Sequence, residues 1–310
     1  RSHNYVSKEV INVRENVGAI EVANFSKHEF KGPDSRKFLD YVMAGRLPKP
    51  GRISLTPMLT KKGKLYGDLT VACIDEDEFM IFGSGAAQEM HRRWFETHMS
   101  KFNLSYKNRS DELHGIGIAG PKSRDLLQKI VREDISNNKF KFRDSRKMYV
   151  GGVPAIVNRI SFTGELGYEI YVAPHFQIKL YEEITWAGKE FNIKPFGSRA
   201  LMSMRLEKNW GAWTLDYRPD FTAKETGLDI FINWDKEFIG KDSAKKDNSK
   251  NKITPLIVET NDIDVTFNEA VMKGDKSIGY VTSGGFAHFV NKSVAFSYLD
   301  TKQLNSDKKV

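Results

Sequence analysis

The chain has 310 residues, a formal net charge of +8, 40% hydrophobic and 12% aromatic content, enough for one large core or two smaller ones. No apolar run approaches the roughly 20 residues that a membrane helix needs, the start Arg1-Ser-His-Asn-Tyr5 lacks a signal peptide's apolar stretch, and the single Cys73 excludes internal disulfides and multi-cysteine metal sites. Much of the basic excess sits in solvated tracts such as residues 241–250, without interleaved stacking aromatics, so the expectation is a cytoplasmic protein with no nucleic-acid or membrane partner.

Apolar spacing predicts a short helix from Val10 to Arg14, strands over Ala19 to Val22 and His28 to Phe30, and a helix from Asp34 to Met43 opened by Gly32-Pro33. Gly63 to Ile74 reads as a turn running into a strand, with Glu78 to Phe82 as its partner across Asp75-Glu76-Asp77. A helix from Ala86 to Met99 follows, its stripe being Met90, Trp94, Phe95 and His98. Gly115 to Pro121 is a strand entering a turn, and Lys122 to Val131 the next helix. Gly32-Pro33-Asp34-Ser35-Arg36 and Gly120-Pro121-Lys122-Ser123-Arg124, each trailed by an apolar pair, predict an internal repeat of a strand-turn-helix unit. A ligand would suit the crevice between two such αβ halves. Further on, Val153 to Phe162 and Tyr168 to Val172 form a hairpin, followed by helices from Phe176 to Ala187 and from Ser198 to about Lys208. The polar residues 245–251 are the expected linker, and Ile253 to Glu259, Ser277 to Thr282 and Val294 to Tyr298 the strands of a smaller β-rich unit. The expected domains are 1–246 and 247–310, in an α+β fold.

The stretch Ser161 to Ile170, followed by Met204-Arg205-Leu206-Glu207, sets an aromatic, a carboxylate and a guanidinium around one turn. Such a trio suits a flat heterocycle with N–H donors, such as a pterin: the aromatic offers a face, the carboxylate accepts two parallel N–H bonds, and the cation balances the charge. An ion pair between Glu169 and Arg205 with a purely structural role is the competing reading. Glu165 and Lys208 are read as solvent-facing. After Tyr66, the two-residue period puts Leu69, Val71 and Cys73 on one strand face and Tyr66, Asp68 and Thr70 on the other. Asp68 is then either a carboxylate on a wet face or one facing a cleft, able to hold a proton or steady a developing iminium cation. Cys73 reads as a packed thiol.

Gly83-Ser84-Gly85-Ala86 ends a strand ahead of a helix, which makes it a tight turn or a place where backbone N–H groups meet a ligand. Gly115-x-Gly117-x-x-Gly120 matches the dinucleotide fingerprint literally, but its glycines lie within the strand and its turn carries Pro121, so no dinucleotide site is assigned. The seven histidines show no metal spacing; His91 and His98 lack a third ligand, and no metal is expected.

Gly32-Pro-Asp34, Arg46 to Arg52, Thr56-Pro-Met-Leu59, Gly67-Asp-Leu-Thr-Val71, Phe162 to Glu169, Met204 to Glu207, Glu225-Thr-Gly-Leu228, Phe238-Ile-Gly-Lys241 and Val281-Thr-Ser-Gly284 occur in this order. Together they resemble the folate-binding aminomethyltransferase family, the T protein of the glycine cleavage system and its relatives, above all the folate domain at the C-terminal end of dimethylglycine and sarcosine dehydrogenases. The resemblance implies two pseudo-related αβ modules forming a folate-binding domain, plus a smaller C-terminal β-rich domain whose last strands would follow Val310. It implies that Asp68 lies near the reactive folate nitrogens as the catalytic residue, with Thr70 lining the same face. Glu169 would hold the pterin's amino and N–H edge, and the family's aromatic and Arg positions fall on Phe162 and Arg205. Ser84 completes the expected cofactor-binding set.

The implied activity is tetrahydrofolate-dependent one-carbon transfer, giving 5,10-methylenetetrahydrofolate from an iminium or formaldehyde unit of a methylated amine such as dimethylglycine or sarcosine. Alternatives are a stand-alone aminomethyltransferase or tetrahydrofolate-dependent demethylase, and a non-catalytic folate-binding module. Leu55 and Phe162 stand where T proteins usually carry Tyr, and Trp210 to Asp220 resembles the dehydrogenase-linked branch. A flavin domain or subunit is therefore a more favoured partner than a lipoyl carrier protein, and FAD would belong to a separate or missing N-terminal domain.

Overall fold

The computed structural model describes residues 2–260 and 263–303. The chain opens with helix α1 (Ser2–Glu15), strands β1 (Gly18–Glu21) and β2 (Phe25–Lys31), helix α2 (Ser35–Val42), and strands β3 (Arg52–Leu59), β4 (Leu65–Asp75) and β5 (Glu78–Ser84). Helix α3 (Gln88–His98), strands β6 (Ser105–Asn108) and β7 (His114–Ala119), helix α4 (Ser123–Gln128), and strands β8 (Ser145–Val150), β9 (Val153–Asn158) and β10 (Gly167–Val172) follow. Next come α5 (Gln177–Gly188), β11 (Lys194–Pro195), α6 (Ser198–Glu207), α7 (Ala223–Thr226) and α8 (Lys241–Lys245). The chain finishes with β12 (Asn251–Val258), β13 (Ala270–Lys273), β14 (Lys276–Ala287) and β15 (Lys292–Asp300).

Three sheets result, with strand orders β11-β1-β7-β10-β9-β8, β3-β4-β5-β2-β6 and β12-β15-β14-β13. The described residues fall into two compact units, one from 2–39, 47–55 and 69–204, the other from 40–46, 56–68, 205–260 and 263–303.

In the first unit the internal repeat is visible residue by residue. Gly32 ends β2 with φ +129° and Gly120 ends β7 with φ +134°, a region that L side chains rarely adopt. A Cβ at Gly32 would meet the Leu104 Cα at 2.9 Å, and one at Gly120 would meet the Val13 carbonyl oxygen at 2.7 Å. After each glycine a serine amide, Ser35 or Ser123, donates back to the glycine carbonyl at 2.9 and 3.0 Å, and a helix begins.

Strand β10 is buried on both faces. Tyr168, Ile170 and Val172 pack with Ile116 and Ile118 of β7, Leu126 of α4, and Leu180 and Ile184 of α5. On the opposite face Tyr171 joins Val22, Ala72, Met80 and Phe82, and the alternation puts Glu169 on this side. Burial on two faces is why Gly167-Tyr-Glu-Ile-Tyr-Val172 shows no clean apolar/polar alternation.

Several elements depart from expectation. Helix α1 starts eight residues before the predicted Val10, because only Val6, Val10 and Val13 pack against Phe196, Ala200 and Met204 and the rest of its first half is polar. On α3 the buried stripe is His91 and Phe95, with Met90, Trp94 and His98 at its margin. Strand β3 was not expected; Pro57 lies within it and is tolerated because β3 is an edge strand of its sheet. In the second unit, strands β12 to β15 pair antiparallel, around Val271, Ile278, Val281, Ala295 and Leu299.

Candidate functional site

In β4 the side chains alternate as expected: Leu65, Gly67, Leu69, Val71 and Cys73 are buried, while Tyr66, Asp68 and Thr70 keep some solvent access. Burial pushes the Asp68 carboxyl up to about 7, against a smaller opposing pull from its own backbone amide. A carboxyl that titrates near neutrality can both hold and release a proton under physiological conditions. Tyr217, in the same unit, is buried, and its phenol is held above the ordinary range first by burial and then by the Asp68 charge. The Gly211 amide donates to its hydroxyl at 3.2 Å, and any Cβ on Gly211 would meet the tyrosine ring at 2.5 Å.

Arg205 sits near the end of α6, and its guanidinium is engaged through Nη1 within its own unit. Nη1 lies 2.6 Å from Oδ2 of Asp216 and donates to the Trp210 carbonyl at 3.2 Å, while the guanidinium stands 5.2 Å from the centre of the Phe296 ring. Both partners of this ion pair are shut off from solvent. Asp216 also accepts from the Ala212 amide at 2.9 Å, from Thr282 at 2.6 Å and from Ser283 at 2.7 Å, and the Tyr298 hydroxyl donates to its carbonyl at 2.7 Å. The network ties α6 and residues 210–217 to strands β14 and β15.

Glu169 is half-buried on β10, where Tyr171, two residues on, donates its hydroxyl to Oε2 at 2.8 Å. Phe82 stacks on Tyr171 with ring centres 4.6 Å apart. Gly115, the register partner of Tyr171, makes room for it, since a Cβ there would meet the ring at 2.8 Å. Gly115 and Gly117 of the apparent dinucleotide fingerprint therefore serve close packing in β7.

Of the remaining candidates, Thr70 pairs with Phe82 across β4 and β5. Phe162 is half-buried in the connection between β9 and β10. That connection is braced by Ser161 and Thr163, whose hydroxyls lie 2.7 Å apart, and by Arg14, which donates to the Thr163 carbonyl at 2.9 Å. Glu165 is half-buried in an ion pair with Arg14 at 2.8 Å, a correction to its reading as solvent-facing; Lys208 is exposed. Ser84 ends β5 in extended conformation, and its side chain makes no capping bond to the turn Gly85–Ala87 before α3.

Sequence reasoning did not find Lys27, Asp216, Tyr171 or Tyr217. For Asp216 and Tyr217 the available signal was an acid among the three aromatic residues Trp210, Trp213 and Tyr217 in a mostly apolar segment. Among the described residues, no group of three or more His, Cys, Asp or Glu side chains is arranged to hold a metal ion, and no helix is long and apolar enough to cross a membrane.

The GCVT N-terminal domain model matches residues 1–236, and that of the glycine cleavage T-protein C-terminal barrel domain matches residues 252–310. Mitochondrial dimethylglycine dehydrogenase of Homo sapiens is 36% identical over 302 residues, covering 95% of this chain and 35% of that protein. The chain thus spans about a third of the length of the mitochondrial dimethylglycine dehydrogenases it matches. An aminomethyltransferase of Thermoanaerobacter pseudethanolicus is 30% identical over 297 residues, 94% of this chain and 80% of that protein. The crystal structure of glycine cleavage system aminomethyltransferase T from Bartonella henselae superimposes with a TM-score of 0.88 at 20% identity, over 98% of this chain and 83% of that one. The shared fold is a mixture of helix and sheet, a larger N-terminal domain followed by a small C-terminal β barrel.

Proposed function

The chain belongs to the glycine cleavage T-protein family of folate-dependent aminomethyltransferases, and from that premise we propose that it transfers a one-carbon unit to tetrahydrofolate. In this reading the unit comes from a methylated amine such as dimethylglycine or sarcosine, as an iminium or as formaldehyde, and the product is 5,10-methylenetetrahydrofolate. When formaldehyde is the source, one water leaves for each carbon joined to two nitrogens; when an iminium is the source, its C–N bond breaks and the demethylated amine leaves with a proton. Bound tetrahydrofolate supplies those nucleophilic nitrogens.

The chain supplies placement and proton management. Asp68, which titrates near neutrality, holds or takes a proton at its carboxylate oxygen and offers negative charge to a developing cation. Glu169 accepts the N–H donors of the pterin edge, oriented by the hydroxyl of Tyr171. Phe162 offers a ring face, and Thr70 and Ser84 offer hydroxyls. Arg205, committed to Asp216, contributes by fixing residues 210–217 rather than by meeting a ligand, and so positions Tyr217. The single observation that supports the reading is the place of Asp68 on the partly open face of β4, where burial pushes its carboxyl up.

The dehydrogenase relatives favour a flavin domain or subunit as the source of the carbon unit. The aminomethyltransferase relatives, matched over four-fifths of their length, favour a second reading in which the chain acts alone on an external donor. Turnover separates these. The protein is mixed with tetrahydrofolate and formaldehyde, and with an aminomethyl donor in parallel, and 5,10-methylenetetrahydrofolate is followed against the uncatalysed rate. Acceleration with formaldehyde supports the first reading, and acceleration only with the aminomethyl donor supports the second. No acceleration with either overturns the catalytic proposal.

A further inference from the structure

An ammonium group is costly to bury unless its protons find acceptors. Lys27, on β2, has no exposed surface, and its Nζ donates to the carbonyls of Ala23 at 2.6 Å and Phe25 at 2.8 Å. Ala23 lies in the connection from β1 to β2 and Phe25 opens β2, and Glu21 grips the same connection by accepting the Ala23 amide. The same Nζ lies 5.7 Å from the centre of the Tyr171 ring, within reach of a cation–π interaction. Tyr171, wedged between Phe82 and the bare backbone of Gly115, donates its hydroxyl to Glu169. A continuous path therefore runs from a pinned turn through a buried cation and a fixed phenol to the carboxylate.

We propose that Lys27 is a positioning residue for Glu169: it fixes the tyrosine that orients this carboxylate toward a pterin's N–H edge and supplies a buried positive charge facing it. The inference rests on the folate reading and deepens it. The charges facing Lys27 are Glu21 from β1, Asp111 from the connection before β7 and Glu169 from β10, all favouring the protonated form. Burial is the larger influence and brings the ammonium down to about 8. Loss of the Lys27 proton would then weaken the hold on an N–H-donating ligand just above neutral pH.

Two measurements test this. In ligand-free protein, the Lys27 amine is titrated by nitrogen-15 NMR in wild type and in Glu169→Gln. Removing a facing anion lowers the Lys27 titration; an unmoved titration overturns the proposal, and this arm stands even if Lys27→Met does not fold. Calorimetry with tetrahydrofolate follows wild type, Lys27→Met and Lys27→Arg between about pH 7 and 9. Lys27→Met is expected to bind roughly tenfold more weakly at the acid end, as for a lost charge-assisted contact, and to lose the alkaline decline of wild type. Lys27→Arg regains affinity and holds it to higher pH. A lysine that only pins the turn leaves the pH dependence where it was, and that outcome overturns the proposal. Wild type that takes up no tetrahydrofolate sinks the folate reading, whereas the NMR arm still decides whether Lys27 acts on Glu169.

Discussion

Asp68 and Asp216 lie in the same unit and neither is freely solvated, yet their surroundings differ in kind. Asp216 receives Arg205, the Ala212 amide, Thr282 and Ser283, so its charge is matched and its lone pairs are filled. Asp68 has its own amide to set against burial, and its carboxyl is pushed up to about 7. A buried acid surrounded by donors is a structural tie, whereas one left short of donors keeps its proton within reach of chemistry. The difference lies in the donors that the fold delivers to each carboxylate, not in residue type.

The contrast breaks most readily at Asp216. Asp216→Ala would strand the Arg205 charge in the interior and is expected to cost about 3–5 kcal/mol of stability, read from urea denaturation. An Asp216→Ala protein as stable as wild type would mean that the network holds nothing. Asp68→Asn should do the opposite: the fold is kept, while one-carbon transfer falls on the order of 10²-fold with a smaller loss of tetrahydrofolate affinity. Equal losses in turnover and affinity would make Asp68 a binding group only.

The pH dependence of stability sharpens the same comparison. Folded Asp68 keeps its proton to about pH 7, against an ordinary value of 3.8, so between these values the folded chain binds the extra proton. Stability should therefore fall as pH rises through that window and level off above it, with a slope below about 1 kcal/mol per pH unit once partial solvent access is allowed for. Asp68→Asn should remove this contribution, and an identical profile in the two proteins would contradict the raised carboxyl. The smallest effect is expected from Tyr217→Phe, which leaves the Gly211 amide without its acceptor at a cost of about 1 kcal/mol in thermal denaturation.

Local periodicity made part of this legible from sequence. The face carrying Tyr66, Asp68 and Thr70 follows from the two-residue period, and the Gly-Pro pairs at 32–33 and 120–121 announce the repeat because few residues but glycine tolerate those backbone angles. Partners distant along the chain were another matter. Arg205 finds Asp216 through a loop in which Thr214 takes φ +72°, and no periodic signal encodes that path. Lys27 stayed hidden because a lysine on a strand ordinarily marks a wet face, and here a second sheet's Tyr171 covers it. The pairing of Glu169 with Tyr171 needed only the same two-residue period, but the apolar surroundings on both sides of β10 obscured which face mattered.

The most direct measurement is calorimetric titration of tetrahydrofolate into wild type, Glu169→Ala and Asp68→Asn under one condition. The expected result is binding by wild type, a large loss in Glu169→Ala and a modest one in Asp68→Asn. Absence of binding by wild type, or the same affinity after Glu169→Ala, would contradict a reduced-folate site built on these carboxylates.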